Sequence, residues 1–168
     1  MLALALAAPA TASTTATQSV KTLRAGVTFY RQAAWRWQAQ MRAPLTHSNR
    51  AEKRSHSTVY LHWLADRWRA RARTARATAA AFFRRLYAKW ACIHRGEGSW
   101  TANTGNGYYG GLQMDIGFQR SYNGRALRRY GTADKWPIRE QLYAAELAYK
   151  SGRGFYPWPN TARACGLI

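Results

Sequence analysis

The sequence predicts an α+β protein that is mainly α-helical: helices surround a short β-hairpin, and basic helices precede this small domain. Apolar residues recur at spacings of three and four along two long segments, as they do on one face of a helix. A glycine-rich turn segment and a short apolar run follow, and these favour a hairpin. A chain of 168 residues is long enough for one well-packed domain with appendages.

We divide the chain into residues 1–18, 19–81 and 82–168. The first part, MLALALAAPATAS onward, has an apolar run followed by small residues, as at a signal-peptidase site. No basic residue precedes this run, so an alanine-rich or disordered tail without a targeting role is the alternative. No other apolar stretch reaches the roughly 18 residues that a membrane span needs.

The second part is basic and helical. One helix is expected over residues 19–43, before Pro44, and a longer one from Thr58. The Arg/Ala-rich middle of the longer helix, RWRARARTARAT, shows no core-facing side. The expected apolar stripes are Val27, Tyr30, Ala34, Trp37 and Met41 on the first helix, and Tyr60, Trp63, Leu64 and Trp68 on the second.

The formal net charge of +19 is uneven along the chain. Residues 1–86 hold 15 basic and 2 acidic side chains, a net of +13, and residues 87–168 hold 11 and 5, a net of +6. Such a field favours anionic partners. The basic helices could bind anionic wall polymers or a membrane surface, or simply pack as a solvated hairpin. Nucleic acid is disfavoured by the export-like start.

The third part should begin with the end of the long helix, near Gly96. Tyr108 and Tyr109 could pair with residues 112–114 across a hairpin, and Asp115 stands where a helix N-cap is expected. A further helix should begin after Pro137, and the tail should be irregular.

Two cysteines, Cys92 and Cys165, lie 73 positions apart. They suggest one disulfide, with two unrelated buried thiols as the alternative. They are too few and too far apart for a structural zinc site, and the four histidines show no ligand spacing. No metal or cofactor is implied.

Glu97, in CIHRGEGSW, is a candidate general acid, because a carboxyl against an aromatic such as Trp100 has its charged form disfavoured. The alternative is a surface acid neutralised by Arg95 or His94. Neutral polar and aromatic side chains downstream suit the hydroxyls and flat faces of a carbohydrate: Asn103, Thr104, Asn106, Tyr109 and Gln113.

Residues 91–115, ACIHRGEGSWTANTGNGYYGGLQMD, resemble the transglycosylase-like domain of resuscitation-promoting factors, within the lysozyme-like group of peptidoglycan-cleaving enzymes. The run NTGNGYYGGLQ carries the resemblance, together with REQ at 139–141 and the terminal WPNTARACG that includes Cys165. The resemblance covers about 80 residues from near Phe82 onward and does not extend to residues 19–80.

The resemblance implies that Glu97 is the catalytic acid, with one departure. In the resuscitation factors the glutamate directly follows the cysteine, whereas Glu97 comes five positions after Cys92. The spacing of Glu97 to Trp100 is similar to that in lytic transglycosylases. Asp115 is the nearby candidate for a second carboxylate, although a helix cap is the simpler interpretation.

The resemblance therefore implies a secreted or wall-associated lytic transglycosylase or muramidase that acts on the β-1,4 bond between N-acetylmuramic acid and N-acetylglucosamine. The alternative function is a non-catalytic, cationic wall-binding or antimicrobial module that keeps a glycan cleft.

Overall fold

The computed structural model describes residues 11–168, with side chains from residue 19 onward. Residues 1–10 of the signal-peptide-like segment lie outside the described residues, and only a helical backbone is described for 11–18. The helices are α1 (Thr11–Gln40), α2 (Arg50–Arg54), α3 (Thr58–Glu97), α4 (Ile116–Tyr130), α5 (Ile138–Ala148) and α6 (Pro159–Ala164), with a 3-10 turn at Ala133–Lys135 and a π turn at Tyr149–Arg153.

The chain divides into two compact units, Met1–Ala81 (unit 1) and Phe82–Ile168 (unit 2), and α3 contributes residues to both. The expected mainly helical fold is confirmed. None of the helices in the described part of the chain is long and apolar enough to span a membrane.

Unit 1 is built on a core between α1 and the first part of α3. Leu61, Leu64 and Trp68 are fully buried with Val27 and Ala34. The α3 stripe thus runs through Leu61 and not through Trp63, which is 51% exposed.

Alanines supply a core-facing side to the arginine-rich part of α3. Ala72, Ala75 and Ala79 are buried, at spacings of three and four. The expectation that RWRARARTARAT has no core-facing side was wrong, because Ala72 and Ala75 within it are buried.

Unit 2 packs around Trp90 of α3. Its ring lies 5.1 Å from that of Phe155 and 5.0 Å from that of Trp158, both edge-on. The Trp158 indole N–H donates to the Leu112 carbonyl at 2.6 Å. This bond joins the C-terminal segment, which was expected to be irregular, to the turn before α4.

The expected β-hairpin is wrong for the described residues, where Tyr109 makes only isolated antiparallel bridges to Asn103 and Met114. Tyr109 and Met114 exchange two backbone hydrogen bonds, of 3.2 and 3.0 Å. Between them the chain reverses tightly, with φ of 74° at Gly110 and 44° at Gln113. The pairing of Tyr109 with Met114 does not extend further along the chain, because Asp115 directly after Met114 caps α4.

The C-terminal end of α3 packs against α6. A disulfide joins Cys92 to Cys165, as expected. One turn further along α3, a Cβ at Gly96 would overlap the Cγ2 methyl of Thr161, so only glycine permits this approach. The Thr161 hydroxyl donates to Glu97 Oε1, the last residue of α3.

This contact yields a prediction. Gly96→Ala should lower the free energy of unfolding by roughly 1–3 kcal/mol, the usual cost of overpacking. In a Thr161→Ser background the methyl is gone, and the same change should cost less or even stabilise, since alanine favours a helix over glycine. Urea unfolding of the parent, Gly96→Ala, Thr161→Ser and the double variant measures the coupling between the two substitutions. Equal costs in the two backgrounds would contradict the proposed overlap.

A partly buried ion pair joins α3 to α5. Glu146 accepts a hydrogen bond from Lys89 Nζ at 2.8 Å and lies 3.4 Å from Lys150 Nζ. Burial by itself raises the pKa of the Glu146 carboxyl, but the hydrogen bond and charge of Lys89, together with Lys150, bring that pKa below its ordinary value of 4.5.

Glu146→Gln should therefore lower the free energy of unfolding at pH 7 by about 1 kcal/mol. Because the folded pKa is the lower one, this contribution is present above pH 4.5 and is lost as pH falls through the folded pKa. Urea unfolding of parent and variant at several pH values should show two curves that converge on acidification. A constant difference down to pH 3 would argue against the ion pair as its source.

Candidate active-site groove

Glu97 lies where α3 ends and the chain turns toward residues 98–115. Its carboxyl is half-buried and is oriented by the Thr161 hydroxyl. On a helix, five residues correspond to about 140° of rotation, so Cys92 and Glu97 point in different directions. Thr161 precedes Cys165 by one turn of α6, and this places its hydroxyl on Glu97 while the cysteines pair. The unusual spacing is thereby accommodated.

The Glu97 carboxyl opens into a cleft of about 310 Å³. The other lining residues are neutral polar, aromatic or proline: Asn106, Tyr108, Gln113, Pro157, Trp158, Pro159 and Asn160. Tyr108 is 47% exposed, so its ring is free to meet a ligand. The cleft thus combines one carboxyl with amide groups and flat apolar surfaces.

A second cavity of about 390 Å³ adjoins this cleft. The two share Tyr108, Gln113, Pro157 and Trp158. They therefore form one groove, whose second part is also lined by Met114, Asp115, Gly117, Phe118, Ser121, Tyr122 and Arg153.

Gln113 occupies the centre of the groove because of the tight turn. Its φ of 44° is rare for a residue with a side chain, and its amide N–H donates to the Gly110 carbonyl at 2.9 Å. The left-handed backbone conformation and this hydrogen bond together fix the orientation of the Gln113 amide toward the cavity.

Of the residues predicted from the sequence, the structure brings together Glu97, Asn106 and Gln113. Four others do not line the groove: Trp100, Asn103, Thr104 and Tyr109.

Each of these four side chains lies outside the groove. The Trp100 ring stacks on His94 at 3.9 Å. Tyr109 packs against the core, while Asn103 and Thr104 are exposed on the loop.

Asp115 caps α4, as expected, since its carboxylate accepts a hydrogen bond from the Phe118 N–H at 2.7 Å. It also lines the second cavity. Its use as a second catalytic carboxylate stays a prediction.

Sequence reasoning missed Thr161, Trp158 and Asn160. They come from the aromatic, proline-containing tail, some 60 residues after Glu97. The run YPWPN in this tail indicates a part of the site, because a tryptophan between two prolines near a turn is typical of a ligand-binding surface.

Electrostatics differ between the two parts of the groove. The second part holds Arg153 and Tyr122, and the pKa of the Tyr122 phenol is lowered by its hydrogen bond with Ser151 and by Arg153. The first part is neutral apart from Glu97.

Comparison with known proteins identifies this region. Residues 87–161 match the family model of the transglycosylase-like domain. Resuscitation-promoting factor Rpf1 of Corynebacterium glutamicum is 36% identical over 70 residues, which is 42% of this chain and 35% of the relative. Resuscitation-promoting factor RpfE of Mycobacterium tuberculosis is 38% identical over 76 residues, 44% of this chain and 41% of the relative.

Resuscitation-promoting factor RpfB of Mycolicibacterium smegmatis is 36% identical over 62 residues, 37% of this chain and 16% of the relative. The chain thus spans less than half the length of these three relatives. The matched residues contain the disulfide's first cysteine, Glu97 and the whole groove. Residues 87–161 of unit 2 therefore form a transglycosylase-like domain, and they are similar in sequence to segments of these resuscitation-promoting factors.

Proposed function

We propose that unit 2 cleaves the glycan of peptidoglycan at the β-1,4 bond between N-acetylmuramic acid and N-acetylglucosamine, with Glu97 as general acid and base. The observation that carries this proposal is the Glu97 carboxyl, oriented by Thr161, in a cleft of neutral polar and aromatic side chains. The transglycosylase-like match supports a lytic transglycosylase-like enzyme.

The cleft chemistry suits acetylated sugars. The amides of Asn106, Gln113 and Asn160 can donate to and accept from hydroxyl and acetamido groups. The rings of Tyr108 and Trp158 offer apolar faces of the kind that pack on sugar rings. Among the residues that the structure describes, no charged side chain other than Glu97 lines this cleft, so binding does not require a charged sugar at the bond that breaks.

With Asp115 held as a cap, one carboxyl performs both proton transfers. Protonated Glu97 gives its proton to the glycosidic oxygen as the bond to the anomeric carbon breaks. The resulting carboxylate then takes the proton of the sugar's own 6-hydroxyl, whose oxygen closes on the anomeric carbon. The product is a 1,6-anhydro end. Attack by water in place of this hydroxyl gives a reducing end and makes the enzyme a muramidase.

Glu97→Gln should reduce the release of soluble muropeptides from purified peptidoglycan by at least about 100-fold, because a positioned general acid contributes that much or more. The amide keeps the size and a hydrogen-bond acceptor for Thr161, so binding to peptidoglycan should persist. Mass spectrometry of the parent's products, searched for the anhydro end, distinguishes the two reactions.

Equal release by parent and variant would refute the catalytic proposal and favour a non-catalytic, cationic glycan-binding module. Circular dichroism and thermal unfolding of both proteins provide the control that the substitution leaves the fold intact.

We also infer that the protein is exported to the cell wall. Disulfides persist in oxidising compartments outside the cytosol, and Cys92 and Cys165 are paired. The small residues at 8–12 support the same inference as a cleavage region.

The basic segment, residues 19–81, is proposed to hold the enzyme on anionic wall polymers. On α3 the side chains of Arg67, Arg73 and Arg76 are exposed between its buried positions. The guanidinium of Arg67 lies 4.9 Å from the ring centroid of the exposed Trp63. Exposed arginines of this kind attract phosphate groups, and the attraction is strongest at low ionic strength.

Replacing Arg67, Arg73 and Arg76 together by glutamine should weaken binding to walls that carry teichoic acid by several-fold at low salt, because each removes an exposed charge. The matched triple lysine variant keeps the charge and should bind as the parent does. Co-sedimentation at low and high salt, with walls stripped of teichoic acid and with anionic vesicles, separates wall phosphate from lipid. Binding that is unchanged by the glutamine substitutions would contradict the proposal.

A further inference from the structure

We propose that Arg153 forms a carboxylate-binding subsite in the second part of the groove, which selects glycan that bears acidic substituents. The inference rests on the proposed glycan-binding groove, but not on cleavage there. Arg153 lines the second cavity together with Phe118 and Tyr122, whereas no basic side chain from residues 19–168 lines the first cavity.

The chain presents Arg153 on a constrained turn. Gly152 has φ of 93° and Gly154 has φ of 56°, both in the left-handed region that favours glycine. The π turn Tyr149–Arg153 ends between them. The arginine is therefore held on a turn whose flanking residues carry no side chains that would cover it.

Side chains on two elements fix this turn. The Ser151 hydroxyl donates to the Ala148 carbonyl at 2.7 Å and lies 3.3 Å from the Tyr122 hydroxyl. The Arg153 guanidinium lies 6.0 Å from the ring centroid of Phe118. Tyr122 and Phe118 belong to α4, so the guanidinium is positioned against that helix.

The charge of Arg153 is available to a ligand. In the described part of the chain, Arg153 forms no ion pair with a carboxylate within 4.0 Å. Asp115 is the acidic residue that lines the same cavity, and its carboxylate caps α4. The neighbouring Lys150 pairs with Glu146.

A carboxylate is the anion that fits this substrate. The sugars of the glycan are neutral, and its acidic groups are carboxylates on the stem peptide or, after peptide removal, on the lactyl group of muramic acid. A guanidinium matches a carboxylate with two parallel hydrogen bonds. The Ser151 proton is donated to the Ala148 carbonyl, and the Ser151 oxygen lies 3.3 Å from the Tyr122 hydroxyl, so the guanidinium is the group that donates to the ligand.

The test measures binding by calorimetry in a Glu97→Gln background, so that no ligand is consumed. The three ligands are a disaccharide with its stem peptide, a muramic-acid oligosaccharide stripped of peptide, and a neutral N-acetylglucosamine oligomer. Arg153→Gln should weaken binding of at least one acidic ligand about tenfold, as expected for a charge-assisted contact. Binding of the neutral oligomer should change less than about twofold.

Arg129→Gln is the matched control. Arg129 also lies over an aromatic ring of α4, 5.2 Å from the centroid of Tyr130, but does not line the groove. Arg129→Gln removes the same net charge as Arg153→Gln and should leave the affinities for all three ligands unchanged.

Weakening confined to the peptide-bearing ligand assigns the stem carboxylates, and weakening with the stripped ligand assigns the lactyl group. Equal losses for neutral and acidic ligands, no loss for any ligand, or failure of the parent to bind the acidic ligands would overturn the subsite. If the protein with Glu97 intact releases no muropeptides while the acidic preference is present, cleavage fails and the subsite stands.

Discussion

The buried amide of Gln141 holds the groove together. Its Oε1 accepts the Gly111 N–H at 2.9 Å, and its Nε2 donates to the Trp100 carbonyl at 2.9 Å. The residue is fully buried, so a partner left without its bond would cost about 1–3 kcal/mol. Through these bonds α5 fixes both the segment after α3 and the turn that carries Gln113.

The paired glycines follow from this arrangement. A Cβ at Gly110 would overlap the Gln141 amide, and one at Gly111 would come within 2.6 Å of the Trp100 ring. The turn therefore lies in close contact with the Gln141 amide on one side and the Trp100 indole on the other. For this reason Trp100 packs against the turn and does not line the groove. Tyr108 and Gln113 are presented on the free side of the same turn.

The disulfide stabilises the contact between α3 and α6 on the other side of the groove. Closing a loop of 73 residues restricts the unfolded chain, an effect of about 4 kcal/mol in the chain-entropy treatment. It holds α6 on α3, and α6 in turn supplies Thr161 to Glu97. The position of the carboxyl therefore depends on a contact between helices that are distant in sequence, and not on its distance from Cys92.

By itself the sequence determined the long helices, the cap at Asp115 and the placement of Glu97 at a helix end. These features depend on periodicity and on neighbouring residues, which local spacing records. Only the tertiary structure decided that Thr161 contacts Glu97, that Trp158 lines the groove and Trp100 does not, and that isolated bridges replace the hairpin. Those outcomes depend on close approach between distant segments, where a single methyl group or a φ angle decides what fits.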